Sequence, residues 1–365
     1  MKETGSEHDE SDRLKGMVKP LLEWYDQNKR QLPWRDQGKA YYTWVSEIML
    51  QQTRVEAVKP YFSRFIKELP DVQSLAACPP ERLMKLWEGL GYYSRARNMQ
   101  TAARQIMDIF GGQIPLSYEK LLTLKGIGSY TAAAIASIAG GQCVPAVDGN
   151  VLRVVARLNQ DPEDVTGQAA KKKAMLLLSG IIPAKAAGDF NQAMMELGAL
   201  ICLPHGQPLC QDCPVRLNCR SWASGRQTDF PVRPKAKERK QEHRTLVFVQ
   251  DDEATLLQRR PLKGLLAGLY EPLNLEGERD EKELAAMIGQ MGLELLQIES
   301  LPASRHIFTH KEWQMTAYLA RVLSLDSLTK DSPASLAEKS RFVAAPFRQA
   351  QYPLPSAFKA YRHVL

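Results

Sequence analysis

The sequence of 365 residues contains no run approaching eighteen uninterrupted apolar residues. Its first dozen positions are largely polar, with acidic residues outnumbering the one Lys, and lack the apolar stretch that addresses a chain for secretion. Neither a membrane-spanning helix nor a secretory leader is therefore expected, and the chain reads as a soluble intracellular protein with no membrane partner. Cysteine is scarce as well: outside one cluster there are only Cys78 and Cys143, so a disulfide framework is not expected to hold the fold. None is needed, because the length suffices for two or three domains that each bury a core. Acidic residues are the minority, 41 Asp plus Glu against 48 Lys plus Arg, for a formal charge of +7. That balance permits a polyanionic partner without identifying one.

What is present divides the chain in two. Leu14, Met17, Val18, Leu21, Leu22 and Tyr25 recur at helical spacing, as do Val58, Phe62, Phe65, Ile66 and Leu69, and Met99, Ala102, Ala103, Ile106 and Phe110 before Gly111-Gly112. Asp189 is expected to cap a helix carrying Leu197, Leu200 and Ile201. Composition changes after Cys219: from Arg226 to Arg244 seven Lys/Arg stand against three Asp/Glu, with Pro231 and Pro234, which reads as a solvated linker. Beyond it Thr245 to Val249, Thr255 to Gln258 and Gln314 to Val322 read as strands, and Asp280 to Met291 as a helix, giving a smaller α+β domain. The expected division is a disordered tail over 1–12, a mostly helical region over 13–225, a linker over 226–243 and the α+β domain over 244–365.

Three stretches carry chemistry. Gly126 and Gly128 lie between two helical segments, Ser117 to Leu124 and Ser129 to Ala139, where a sharp turn presents N-terminal amides to an anion such as phosphate; an ordinary glycine turn is the alternative. Glu47 sits in a predominantly apolar helical run from Tyr41 to Thr53, where desolvation favours its neutral form, the state a general acid needs near neutral pH. Otherwise it is a carboxylate on a solvated helix face. Asp148, before Gly149-Asn150, is a candidate carboxylate or simply a helix N-cap. Gln51 and Gln52 offer amides that pair with base edges, or are exposed helix residues.

Cys202, Cys210, Cys213 and Cys219 fall within eighteen residues at C-x7-C-x2-C-x5-C spacing, a metal-site pattern. Only one tight pair is present, where a structural zinc finger usually has two. That favours four thiolates on a 4Fe-4S cluster, with zinc as the rival and disulfides a lesser alternative.

Taken in order, these stretches resemble the adenine DNA glycosylases of the MutY family, within the helix-hairpin-helix glycosylase superfamily. The resemblance runs from about Leu14 to Leu365 and rests on Leu32-Pro33-Trp34-Arg35, the Ser46 to Thr53 segment, the Leu124 to Tyr130 hairpin, Val147-Asp148-Gly149-Asn150 and the four cysteines. It implies a multidomain fold: a mostly α helix-hairpin-helix glycosylase with an iron-sulfur cluster loop at 202–219, then an α+β Nudix-like domain. It implies a monofunctional enzyme of base excision repair that flips adenine out of A:8-oxoguanine or A:G mispairs in double-stranded DNA. Glu47 would protonate adenine N7 and Asp148 would stabilise the sugar cation, with Tyr130 and Asn150 supporting the two carboxylates. Arg35 would line the adenine pocket, Gln52 and Tyr92 would fill or probe the opened duplex, Gly126 and Gly128 would grip phosphate, and Thr309 and His310 would read 8-oxoguanine. A monomer in the cytoplasm, associated with the nucleoid, is expected.

Two rivals are weighed by residue. Endonuclease III resembles the hairpin and cysteine pattern but places a lysine nucleophile two positions after the last hairpin glycine, where this chain has Tyr130, and a phenol forms no Schiff base. A non-enzymatic DNA-binding module would not need both Glu47 and Asp148. In the Nudix-like region Ala286, Gly289 and Gln290 stand where the motif R-E-U-x-E-E-x-G-U has its glutamates, so no Mg²⁺-dependent hydrolysis is expected there. Three departures from the family pattern stand out: a first cysteine gap of seven residues rather than six, Thr309 where the lesion loop usually has Ser, and Lys125 where Pro is common. The extra residue, near Pro204, Gly206 and Pro208, is expected to bulge outward.

Overall fold

The computed structural model describes residues 12–35, 37–234, 238–325, 340–344 (backbone only) and 352–364. Most of the expected tail lies outside them. Contacts divide the chain into two compact units, Met1–Ala77 with Asn98–Lys235, and Cys78–Arg97 with Ala236–Leu365. Among the described residues no helix is long and apolar enough to cross a membrane.

The first unit is helical. It contains α1 (Val18–Asn28), α2 (Ala40–Leu50), α3 (Val55–Glu68) and α4 (Val72–Ala77). After α5 (Pro80–Leu86), which belongs to the second unit, α6 (Ser94–Phe110) leads back, followed by α7 (Tyr118–Leu122), α8 (Ser129–Ile138), α9 (Gly149–Asn159), α10 (Gln168–Ser179), α11 (Ala187–Leu200) and α12 (Arg220–Ala223). The spacing that marks α1 buries Leu14, Met17, Leu21 and Tyr25 against Val151, Val154, Phe190 and Leu197 of α9 and α11. Helix α8 is central because Ala132, Ala133, Ala134 and Ala136 are small enough for neighbours to approach closely. A Cβ on Gly188 would stand 2.9 Å from the Ile138 Cα, so α11 reaches α8 only through glycine. Asp189 sits in the first turn of α11, where the dipole favours its charge, and Ala186 rather than Asp189 holds the N-cap position.

The second unit is built on a sheet of β1 (Lys240–Gln250), β2 (Ala254–Arg259), β3 (Tyr270–Glu271), β4 (Leu273–Glu276), β5 (Leu295–Ile307), β6 (Lys311–Val322) and β7 (Ser340–Ala344). The strand order is β3-β2-β1-β6-β5, with β4 paired to β1 and β7 to β2. Strands β1 and β6 run parallel from Lys240↔Lys311 to Gln250↔Arg321, so β1 starts inside the segment expected to be linker. Val247 and Val249 face α13 (Glu281–Gln290) through Leu284 and Ile288, while Leu246 and Phe248 face Trp313, Phe358 and Tyr361. Asp280 caps α13 with a reciprocal box to Glu283. The expected pairing of a helical region with an α+β domain is what the structure has. Strands β3, β4, β5 and β7 lie outside the three strands read from the sequence.

Candidate functional site

Helix α2 carries the first carboxylate. Trp44, Val45, Ile48 and Met49 are buried around it, and Glu47 is buried with them rather than on a solvated face. Burial pushes the Glu47 carboxyl up to about 7; the Tyr130 hydroxyl pulls it down, the Asp148 charge raises it further, and Arg35 lowers it. Tyr130, in the first turn of α8, donates its hydroxyl to Glu47 Oε2 at 2.6 Å and lies 3.5 Å from the Met195 sulfur. Its phenol is held well above the ordinary range by burial and then by the charges of Glu47 and Asp148.

Asp148 is the N-cap of α9, its Oδ1 accepting from the Val151 amide at 2.7 Å and its Oδ2 from Asn150 Nδ2 at 3.0 Å. Burial raises its carboxyl, opposed by these donors and by Arg153. Capping and a place in the site, alternatives on sequence alone, coincide in one side chain. Asn150 Oδ1 accepts from Arg153 Nη2 at 3.0 Å, and Arg153 Nε donates to the Cys202 carbonyl at 2.9 Å.

Glu47, Asp148, Tyr130, Asn150, Arg35 and Gln52 line one cavity of about 1340 Å³. The structure thus gathers six expected site residues from four segments of the first unit. Sequence reasoning missed Arg30, Gln192 and Glu196, which line the same cavity. Glu196, 2 % exposed, accepts Arg35 Nη2 at 2.8 Å and Arg30 Nε at 2.8 Å, while Arg35 Nε donates to Gln192 Oε1 at 3.1 Å. The signal that drew attention to Glu47 was there for Glu196 too, a single carboxylate between Met194-Met195 and Leu197.

In the hairpin, Gly126 has φ +78° and a Cβ there would stand 2.6 Å from Asn98 Cβ, so glycine is required. Gly128 is extended at φ −91° and serves as the N-cap of α8; the sharp turn rests on Gly126 alone. Beside it Lys171 Nζ donates to Ser129 Oγ at 2.8 Å, bringing a positive charge to the exposed helix start. Gln52 and Tyr92 occupy the left-handed region at φ 56° and 45°, two of four such non-glycine residues among those described. Left-handed backbone costs roughly 1–2 kcal/mol for residues with a Cβ.

The four thiols Cys202, Cys210, Cys213 and Cys219 surround a cavity of about 30 Å³ and are free of disulfides. Arg157 Nη1 points to the Cys202 sulfur at 3.3 Å. Burial pushes the Cys213 thiol up to about 12, so its thiolate needs a cationic centre. Among the described residues no three His, Cys, Asp or Glu side chains come close enough to hold one ion. Four thiols around one small cavity are a donor set that fits a sulfur-ligated metal centre. Pro204 to Gln207 are exposed in a loop closed by the Leu209 amide on the Ile201 carbonyl, while Pro208 is buried.

Thr309 and His310 lie in the second unit, on the turn between β5 and β6, where the Phe308 amide donates to the Lys311 carbonyl at 2.8 Å. Tyr92, also in this unit, shares a 2.9 Å hydrogen bond between its hydroxyl and that of Thr309. In α13 Glu283 is engaged in the capping box, and Ala286, Gly289 and Gln290 lie in the second half of the helix.

Residues 45–180 match the family described as HhH-GPD superfamily base excision DNA repair protein, and residues 244–363 match the NUDIX domain. An adenine DNA glycosylase of Mus musculus is 36% identical over 87% of this chain and 71% of its own length. One of Rattus norvegicus is 36% identical over 80% of this chain and 67% of its own. Among solved structures, a thermostable thymine-DNA glycosylase aligns with TM-score 0.52 and 26% identity, covering 58% of this chain and 98% of that one.

Proposed function

We propose, since this chain belongs to the family of adenine DNA glycosylases, that it removes adenine from A:8-oxoguanine and A:G mispairs with Glu47 as general acid and Asp148 as the carboxylate facing the sugar. The observation that carries the assignment is that Glu47 and Asp148, about a hundred positions apart, line one cavity with Tyr130 joined to the first and Asn150 to the second. Adenine leaves poorly as an anion. A carboxyl poised near 7 is protonated in a useful fraction at neutral pH and transfers that proton to N7; such acids contribute about 10²- to 10⁴-fold. The Tyr130 hydroxyl at 2.6 Å then stabilises the carboxylate that Glu47 becomes.

Asp148 has the opposite task. Its oxygens already accept two N–H donors, which favour the charged form against burial, and that charge faces the oxocarbenium character that develops at C1'. Glu196 and its two arginines form a polar wall suited to the edge of an extruded purine. Thr309, joined to Tyr92, offers a hydroxyl to the opposite base, where 8-oxoguanine differs from guanine by an O8 acceptor and an N7–H donor. Cys202, Cys210, Cys213 and Cys219 would hold a 4Fe-4S cluster, which when bound supplies a cross-link of the loop to the helical unit; iron and acid-labile sulfide, not zinc, are expected in anaerobically purified protein.

The test is single-turnover base release from duplexes containing A:8-oxoguanine, A:G, A:T and a thymine-glycol pair, with wild type, Glu47→Gln and Asp148→Asn. Release from the two mispairs, abolished by either substitution, is expected. Undiminished release by Glu47→Gln, or preference for the oxidised pyrimidine, would sink the assignment.

A further inference from the structure

The turn that presents Thr309 stands on aromatic side chains beneath it. Phe308 inserts its ring against His306 at 4.6 Å and Trp313 at 4.9 Å, both edge-on. Trp313 is in turn buried, 1 % exposed. The guanidinium groups of Arg244 and Arg260 lie 5.2 and 5.7 Å from its ring centre, and its indole N–H donates to Glu242 Oε2 at 3.1 Å. Glu242 also accepts Lys311 Nζ at 2.8 Å on its other oxygen and Arg244 Nη2 at 3.2 Å. One carboxylate at the start of β1 thus ties together the residue that follows the turn, the ring under the turn and a cation beside that ring. Lys311 and then Arg244 and Trp313 hold the Glu242 carboxyl down at about 2, so it is ionised throughout any enzymatic pH range.

We propose that Glu242 is a positioning residue for recognition of the base opposite adenine, acting through Trp313 and Phe308 to fix where Thr309 presents its hydroxyl and amide. The inference rests on the reading of Thr309 as the lesion-sensing residue. A hydroxyl that must meet one extra acceptor and one extra donor tolerates little displacement, because hydrogen bonds weaken steeply off line. Discrimination between 8-oxoguanine and guanine therefore depends on the turn's support, whereas adenine protonation in the first unit does not.

Glu242→Gln removes the charge that binds Lys311 and Arg244, and Trp313→Phe keeps a ring under Phe308 while deleting the donor to Glu242. Both are compared with wild type in single-turnover adenine release from A:8-oxoguanine and A:G duplexes, alongside thermal unfolding. The ratio of the two rates should fall by about tenfold in each variant, the A:G rate staying unchanged, and the double variant should fall no further than the worse single one. Unchanged ratios in both variants, or parallel loss on both duplexes with a lowered Tm, would overturn the proposal and leave Glu242 a structural ion-pair residue. A wild type that does not prefer 8-oxoguanine would instead overturn the reading of Thr309 beneath it.

Discussion

Replacing Glu47 by glutamine should make the protein more stable at alkaline pH while destroying its activity. Glu47 is fully buried with a carboxyl raised from 4.5 to about 7, so between those values the folded protein holds a proton that the unfolded chain releases. Stability from this group is complete below pH 4.5 and is lost as pH rises through about 7. The linkage relation gives a loss of about 0.8 kcal/mol by pH 5 and about 3.3 kcal/mol by pH 8. Glutamine does not titrate and its amide oxygen still accepts from Tyr130. The stability difference, Glu47→Gln minus wild type, should thus grow by about 2.5 kcal/mol between pH 5 and pH 8. Urea unfolding followed at both pH values measures it, titrating groups remote from Glu47 cancelling between the two proteins. A difference that stays flat with pH, or narrows, would refute the claim that burial keeps this carboxyl protonated.

The pH dependence of single-turnover adenine release should show an alkaline limb near 7 for wild type. Tyr130→Phe removes the hydrogen bond that lowers the Glu47 carboxyl, so the limb should move to higher pH while the plateau rate falls; a limb that moves down would mean that Tyr130 acts otherwise. At Gln52 the left-handed backbone favours glycine, and Gln52→Gly should raise stability by roughly 1 kcal/mol relative to Gln52→Ala, both variants losing mispair activity. Equal stability of the two would show that the backbone there carries no strain.

The sequence revealed individual residues better than their meetings. Glu47 stood out because its neighbours are apolar, and the structure places it where that argument requires. Glu196 carries the same mark and was passed over, because what distinguishes it is a pair of arginines some 160 positions away, brought near only by the packing of α11. In the second unit β5 escaped notice for a physical reason: it is an edge strand, exposed at most positions and interrupted by a bulge near Pro302, so it lacks the alternation that marks a half-buried strand. The charged start of β1 likewise reads as linker, yet its backbone is paired with β6 from Lys240 onward and its Glu242 finds a cation, Lys311, on the neighbouring strand. Pairing partners, unlike propensity, are not written locally.

The segment Cys78–Arg97 has a bearing on how the protein is cut and recombined. It interrupts the helical region in the chain, yet Glu81 pairs with Arg259 at 3.3 Å, Glu88 accepts the Leu354 amide at 3.3 Å and Arg97 donates to the Ala267 carbonyl at 2.8 Å. Truncation before β1 would strip these residues of their partners and leave a fragment with a raw flank, less soluble than its helical content suggests. Chimaeras exchanging the C-terminal part from Ala236 between relatives would inherit mismatched pairs unless the twenty residues from 78 to 97 travel with it. The unit of exchange in this protein is a discontinuous one, and its borders are drawn by contact, not by position along the gene.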